Sequence, residues 1–503
     1  MQDRIAKYPG RVKLTPVDEK NHLYHMERAD EPLVEGTPIG KASLLSDETA
    51  DILALNGNPT VDDALRVVAA GVVPTLLVSA QTGSTVTATK GSVVRKATEE
   101  NGSWFFYLTT GTWTIQASLG DLKETQNITI TEAKQHYLRL NYVRIYGVEW
   151  DGVSSSTWSR TDDAATFEDP VPYVGLGGTG SSPFDRCYPW SDMVTVTDET
   201  LASFSATISK QYFSFQPQMV AIPKFYYKWT RTGNRMKLQI AERKPEWRDD
   251  FLVSPAHADR GDGKGERDIV YVAKHKHVLN YSNGSRTQGR SIARQVGEDY
   301  WLFDFAMYWT IAMLYLVEFA DWNCQKKIGY GCDYTYDNGA DEGESLYHTG
   351  TDAKSRTQYN AYTKYRDIVG LWSDRQDWVD GIFFKGTEIY CQNNPAEYCD
   401  GINDEQVAQG TLIGSRPTTN GYPIAWSIPT VKGFEYAVFP SALGGSTSTY
   451  SCDSYTYASG GQVLRIGAST ENGQAYGLFR MHTASTWQES LSSLSGMRLM
   501  KLP

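Results

Sequence analysis

Residues 460–503 read GGQVLRIGASTENGQAYGLFRMHTASTWQESLSSLSGMRLMKLP, and the reading of the whole chain turns on this stretch. Its apolar residues come in short groups: Val463 with Leu464, Leu478 with Phe479, and the run that begins at Met497 and ends at Leu502. Groups of that length predict strands buried on one face. Between them stand Ser469, Thr470, Gln474, Tyr476, Arg480, His482, Thr483, Ser485, Thr486, Trp487 and Gln488, whose polarity predicts exposure. Rings, hydroxyls and a guanidinium offered together at a surface suit recognition. The rings supply rigid contact area and the small polar groups adaptable hydrogen bonds. The competing reading is a Ser/Thr-rich loop that joins two core strands.

Taken as LRIGAS…AYGLFR…SGMRLMKLP, the stretch resembles the variable region of phage and bacterial proteins diversified by retroelements. Those proteins carry a C-type-lectin-like fold of the formylglycine-generating-enzyme type. The resemblance implies a scaffold role for Gly467, Gly473, Gly477, Leu478, Phe479, Gly496, Arg498 and Leu499. It implies a ligand-facing role for Ser469, Thr470, Gln474, Tyr476, Arg480, His482, Thr483, Ser485, Trp487 and Gln488. Where that family often closes on Gly-aromatic-Arg, this chain has Gly496-Met497-Arg498. Upstream, Gly370-Leu371-Trp372 and Asp377-Trp378-Val379-Asp380-Gly381 resemble a core segment of the same fold, with an insertion between the two tryptophans. The phrase MERADEPLVEGTPIGKASLLSDETA, from Met26 onward, resembles the leader of tail-fibre-like proteins in phages of Gram-positive gut bacteria.

A chain of 503 residues predicts more than one domain, because single cores rarely grow past roughly 300 residues. Its 48 Lys and Arg against 59 Asp and Glu leave a net charge of −11, which disfavours a nucleic-acid backbone as partner. The 31 Tyr and 14 Trp predict a β-rich protein with a recognition surface. Six cysteines include no C-x-x-C pair, so a zinc ribbon or redox motif has no support, and free buried thiols are expected. The opening MQDRIAKYPGRVKLTPV has no apolar core of a secretory signal. Residues 301–322, WLFDFAMYWTIAMLYLVEFADW, carry Asp304, Glu318 and Asp321, so they predict a buried helix in a large domain and no membrane span.

In chain order, residues 1–72 read as a small leading module: GRVKLTPV alternates like a strand, and helices are expected near 46–53 and 60–70. Residues 73–140 read as a small, immunoglobulin-like β-sandwich spacer. Its strand runs are TLLV (75–78), TVTA (85–88), WFFY (104–107), TWTI (112–115) and NITI (127–130). Residues 141–503 show no linker and form the large C-terminal domain, with the variable-like region at 461–503 and a strand-like aromatic run, PKFYYKW, at 223–229. The expected class is thus α+β and multidomain: a short N-terminal module, a small β-sandwich and a C-type-lectin-like domain.

Cys391 and Cys399 in YCQNNPAEYCD do not match the cysteine arrangement of the related oxidases, and two ordinary thiols or a loop disulfide are expected. His275 and His277 have strand spacing, which puts both rings on one face, yet two ligands are too few for a metal and an exposed basic strand is expected. The acidic Gly-rich runs at 259–266 and 333–342 lack calcium-loop spacing and predict solvated turns. Asp162 and Asp163 are adjacent, so on a strand they point apart and make a poor glycosidase pair.

The expectation is a non-enzymatic phage tail adhesin without cofactor or metal. Its partners would be a host-cell surface receptor, protein or glycan, and other tail proteins. The family resemblance implies a homotrimer placed in the virion tail. The competing classes are an envelope-degrading or oxidase-like enzyme of the related fold and a purely structural tail component.

Overall fold

The computed structural model describes residues 5–6, 12–18, 23–28, 32–34, 61, 75–80, 83–100, 103–119, 122–131, 136–140, 143–207, 213–214, 217–245, 250–276, 278–279, 285–331, 347–358, 362–373, 375–467, 476–488 and 495–503. The chain divides into two compact units, Met1–Tyr142 and Val143–Pro503. It is a mixed α+β protein, rich in sheet and sparing in helix.

In the first unit the alternating GRVKLTPV run becomes the strand Val12–Asp18, paired with Leu23–Arg28. The helices expected at 46–53 and 60–70 lie outside the described residues, Val61 apart. Further on, two four-stranded sheets share one apolar core. One is built on Gly111–Leu119, the other on Leu76–Ser79 and Ser103–Phe106. Alternation decides their faces: Trp113, Ile115 and Ala117 point into the core, while their neighbours Thr112 and Gln116 are exposed. Trp104, Phe106, Leu76 and Val78 meet them from the other sheet.

The second unit is arranged around the helix Phe305–Phe319, all fifteen residues of which are buried. Asp304 starts it by accepting the Met307 N–H at 2.7 Å, and Ala320 ends it in the left-handed region at φ 50°. A helix apolar on every side needs cover on every side, and here sheets supply it. No helix among the described residues is long and apolar enough to cross a membrane.

The aromatic wealth of the sequence is spent inside. Trp150, Trp190, Trp309, Trp322, Trp372, Trp378 and Trp426 are fully buried, half of the chain's 14 tryptophans. Trp322 stacks on Trp426 with centroids 5.0 Å apart and meets Phe479 edge-on at 4.7 Å. The composition had pointed these rings to a recognition surface; the structure gives most of them a packing role around one helix.

The run 223–229 does not form one strand. Gln218–Pro223 and Tyr226–Thr232 belong to different five-stranded sheets. Between them the Lys224 N–H donates to the Asp268 carbonyl at 2.8 Å, and Phe225 is bonded to Ser254, so both backbones leave the ladder.

The C-terminal stretch joins two sheets. Val463–Ile466, Met481–Ser485 and Ser495–Gly496 enter a seven-stranded sheet beside Gln376–Lys385. Leu499–Lys501 enters a five-stranded sheet between Ile269–Ala273 and Tyr300–Leu302. Arg498, fully buried, stands at the crossing. It donates to the carbonyls of Ala273 and Val369 at 2.8 Å each and pairs with Asp377 at 3.3 Å.

Candidate functional site

The face named from sequence is built on the antiparallel pair Val463–Ile466 and Met481–Ser485. Along the second strand, Met481, Thr483 and Ser485 point inward, each fully buried, while His482 and Ala484 are half-buried on the outer side. A strand of period two must hide alternate residues, so a run of polar positions cannot all face water. Thr483 lies 2.9 Å from the Thr456 carbonyl and 3.1 Å from the Tyr455 hydroxyl. Ser485 is sealed in, and its main-chain carbonyl takes the Gln462 N–H at 2.8 Å.

Leu478 and Phe479, read as a strand, form a turn instead. Their N–H groups go to side chains. Asp453 accepts Gly477 N–H at 2.7 Å and Phe479 N–H at 2.8 Å, and the Cys324 sulfur accepts Leu478 N–H at 3.1 Å. Gly477 is required there, because a Cβ would sit 2.6 Å from the Asp453 carboxylate. Burial pushes the Asp453 carboxyl up to about 7, against the pull of those two N–H groups.

Arg480 was expected to face solvent, yet it is 3% exposed. Its guanidinium lies 4.0 Å from the centre of the Tyr476 ring and donates to the Gly467 carbonyl at 3.3 Å. Burial lowers its pKa to about 10. Across the strands Arg465 pairs with His482. Arg465 donates to His482 Nε2 at 2.9 Å, and its guanidinium lies 5.2 Å from the Trp378 ring centre. His482, taken from water and set beside two guanidinium groups, is held neutral, with its pKa lowered to about 2. Arg416 secures the rear of this region. It donates to the carbonyls of Gly461 and Thr483 at 2.7 Å each and to Gly386, between the rings of Phe384 and Tyr457.

The ten residues named from sequence therefore separate. Arg480, Thr483 and Ser485 are interior, a correction to the expected exposure. Tyr476, His482 and Trp487 are half-buried and Gln488 is exposed, with Thr486 exposed beside it. Trp487 leans on the cluster that holds Trp378, Val463 and Met497. Ser469, Thr470 and Gln474 lie outside the described residues. Arg465, Arg416 and Asp453 were missed. Only Arg465 carried a signal, a cation inside the apolar run VLRI; the partners of Asp453 lie 24 and 26 residues further along the chain.

The other candidates resolve as structural groups. His275 lies past the end of the strand Ile269–Ala273, in a half-buried bend, and His277 lies outside the described residues. The exposed basic strand expected there is absent among the described residues: Lys276 turns inward, 3.6 Å from the buried Asp377. In the 259–266 run Asp262 accepts the Lys264 N–H at 3.2 Å and pairs with Arg267, while Arg260 enters the core to reach Asp304 at 2.7 Å. The run 333–342 lies outside the described residues. Asp162 takes Gln239 and Lys237, whereas Asp163 takes the Ile145 N–H. Cys187, Cys324, Cys391, Cys399 and Cys452 carry free, buried thiols, and burial raises each of them above the usual range. Among the described residues no group of three His, Cys, Asp or Glu side chains could hold a metal ion.

Comparison of the chain with protein-family models and with curated proteins finds no match.

Proposed function

We propose that this chain is a non-catalytic binding protein, a phage tail adhesin that engages a host-surface receptor through its C-terminal face. The reading rests on the resemblance of 464–503 to diversified variable regions. One structural observation supports it: Tyr476, His482, Trp487 and Gln488 reach the surface from a backbone pinned by buried groups. Asp453, Arg416 and Arg480 serve as that anchor, so surface side chains can change while the frame stays. A frame that pays its ordering entropy on folding leaves little to lose on binding. Tyr476 and Trp487 would supply ring area, and His482, neutral near pH 7, a hydrogen bond without charge.

In this reading the C-terminal unit has a C-type-lectin-like fold, residues 73–140 are an immunoglobulin-like spacer, and residues 1–72 attach the chain to other tail proteins. The assembly in the virion tail is a homotrimer, which multiplies weak single sites. Light scattering on the purified chain measures that stoichiometry.

The face is tested by labelling the chain and staining a panel of Gram-positive gut bacteria. The comparison is with a variant carrying Tyr476→Ala, Trp487→Ala and Gln488→Ala together. Wild type stains at least one strain, and the triple variant, with an unchanged circular-dichroism melt, stains it at least about tenfold less. Equal staining by the folded variant rejects the face.

A further inference from the structure

A second cleft lies on the strand Tyr226–Thr232, and none of its lining residues belongs to the C-terminal stretch. Its volume is about 650 Å³, inside the span of roughly 300–1,000 Å³ typical of small-molecule sites. Alternation sets Tyr227, Trp229 and Arg231 along one face of the strand. Ile428, Pro429, Thr430 and Glu435 also line it. Trp229 is held in place by a perpendicular contact with Trp309 and a tilted one with Trp158, both at 6.2 Å. Its indole N–H has no partner among the described residues.

The ionisable groups of the lining balance: Lys228 and Arg231 against Asp250 and Glu435. Lys228 and Asp250 already form an ion pair. Arg231 spends its Nε on the Gly233 carbonyl at 2.7 Å and keeps its outer nitrogens for other acceptors. Glu435 receives one N–H, from Gly433 at 2.8 Å, and has acceptor capacity left. Among the described residues the lining thus carries no net charge that would favour a phosphate or a cationic ligand. Tyr227 is buried at the floor, so the occupant has to bring an apolar face for the half-buried Trp229 ring, acceptors for Arg231 and Thr430, and donors for Glu435.

We propose that the cleft binds an uncharged sugar residue of a glycan, at a site separate from the C-terminal face. A pyranose has a C–H face that lies on aromatic rings. Each of its hydroxyls both donates and accepts, so one ring satisfies the guanidinium and the carboxylate together. A polyproline peptide fits the Trp229 ring equally well but lacks the N–H donors that Glu435 needs.

Saturation-transfer NMR on the full chain tests this, with cellotetraose, maltotetraose, chitotetraose and a polyproline peptide as probes. At least one of the three sugars receives transfer. Its dissociation constant weakens about tenfold, equal to roughly 1.4 kcal/mol, in Glu435→Gln and in Arg231→Ala, both rim substitutions. Tyr476→Ala leaves that constant unchanged, which separates this site from the proposed receptor face. The proposal fails if none of the sugars binds, if binding survives both rim variants, or if only the peptide binds.

Discussion

Arg480 lies beneath Tyr476: the guanidinium carbon is 4.0 Å from the ring centre, so the ring roofs a cation that is itself 3% exposed. The two residues differ in depth although both are polar members of one short run. Their roles should differ accordingly. Arg480→Ala removes the stack and the bond to the Gly467 carbonyl from the interior and costs about 1–3 kcal/mol. Tyr476→Ala loses the stack but not the bond to Gly467, so it costs less, about 1 kcal/mol, and acts on binding as well. Urea midpoints at unchanged slope give the ranking, and a larger loss in the tyrosine variant would reverse the assignment.

Arg416 collects three carbonyls, those of Gly386, Gly461 and Thr483, with one planar fork. Lysine cannot match that geometry with its single ammonium. Arg416→Lys is expected to lose about 1–3 kcal/mol. Amide exchange should accelerate in Met481–Ser485 and leave Gly111–Leu119, in the other unit, as it was. Exchange unchanged in both strands would remove Arg416 from the frame.

Acid and base act on this region with opposite signs. The Asp453 carboxyl, ordinarily 3.8, sits at about 7 in the folded chain, so the folded state holds its proton more tightly between those values. Its contribution to stability therefore falls as pH rises from about 4 to about 7. His482, ordinarily 6.5, sits at about 2, so the folded state resists protonation and loses stability as pH drops below about 6.5. Between about pH 4 and 7 the wild type should lose stability relative to Asp453→Asn. Between about pH 6.5 and 4, His482→Gln should lose less than wild type. Parallel pH profiles for all three proteins would contradict both assignments.

Glu318, in the middle of the apolar helix, carries Arg366, Tyr365 and Ser182 on its two oxygens. Glu318→Ala takes one of two carboxylate partners from the Arg366 guanidinium, which is 3% exposed and keeps Asp185 at 2.9 Å, and is expected to cost about 1–3 kcal/mol. Removing both charges, with Glu318→Leu and Arg366→Met, should recover part of that loss in denaturant titrations. A double variant worse than the single one would show the pair to be net stabilising.

The strands at 75–130 were legible because each has one solvated face. Thr, Gln and Asn alternate with Trp, Phe and Ile there, and the period can be read directly. The helix Phe305–Phe319 was legible from length and apolarity, and its buried Asp304 and Glu318 were visible as exceptions. The C-terminal run was legible only in part. Val463–Ile466 and Leu499–Lys501 stand as strands, whereas Leu478 and Phe479 turn, because their N–H groups are taken by Asp453 and Cys324 from elsewhere in the chain.

Amino-acid order alone set the local periods and the apolar helix, since each depends on a residue and its near neighbours. Whether Arg480, Thr483 and Ser485 look outward was decided by tertiary structure. Arg480 and Thr483 go inside where distant groups meet them, here Gly467, Thr456, Tyr455 and a roof made by Tyr476, while Ser485 follows by strand alternation with its hydroxyl unpartnered among the described residues. Hydrogen-bond partners and cover come from strands that only folding brings together, and no local pattern encodes them.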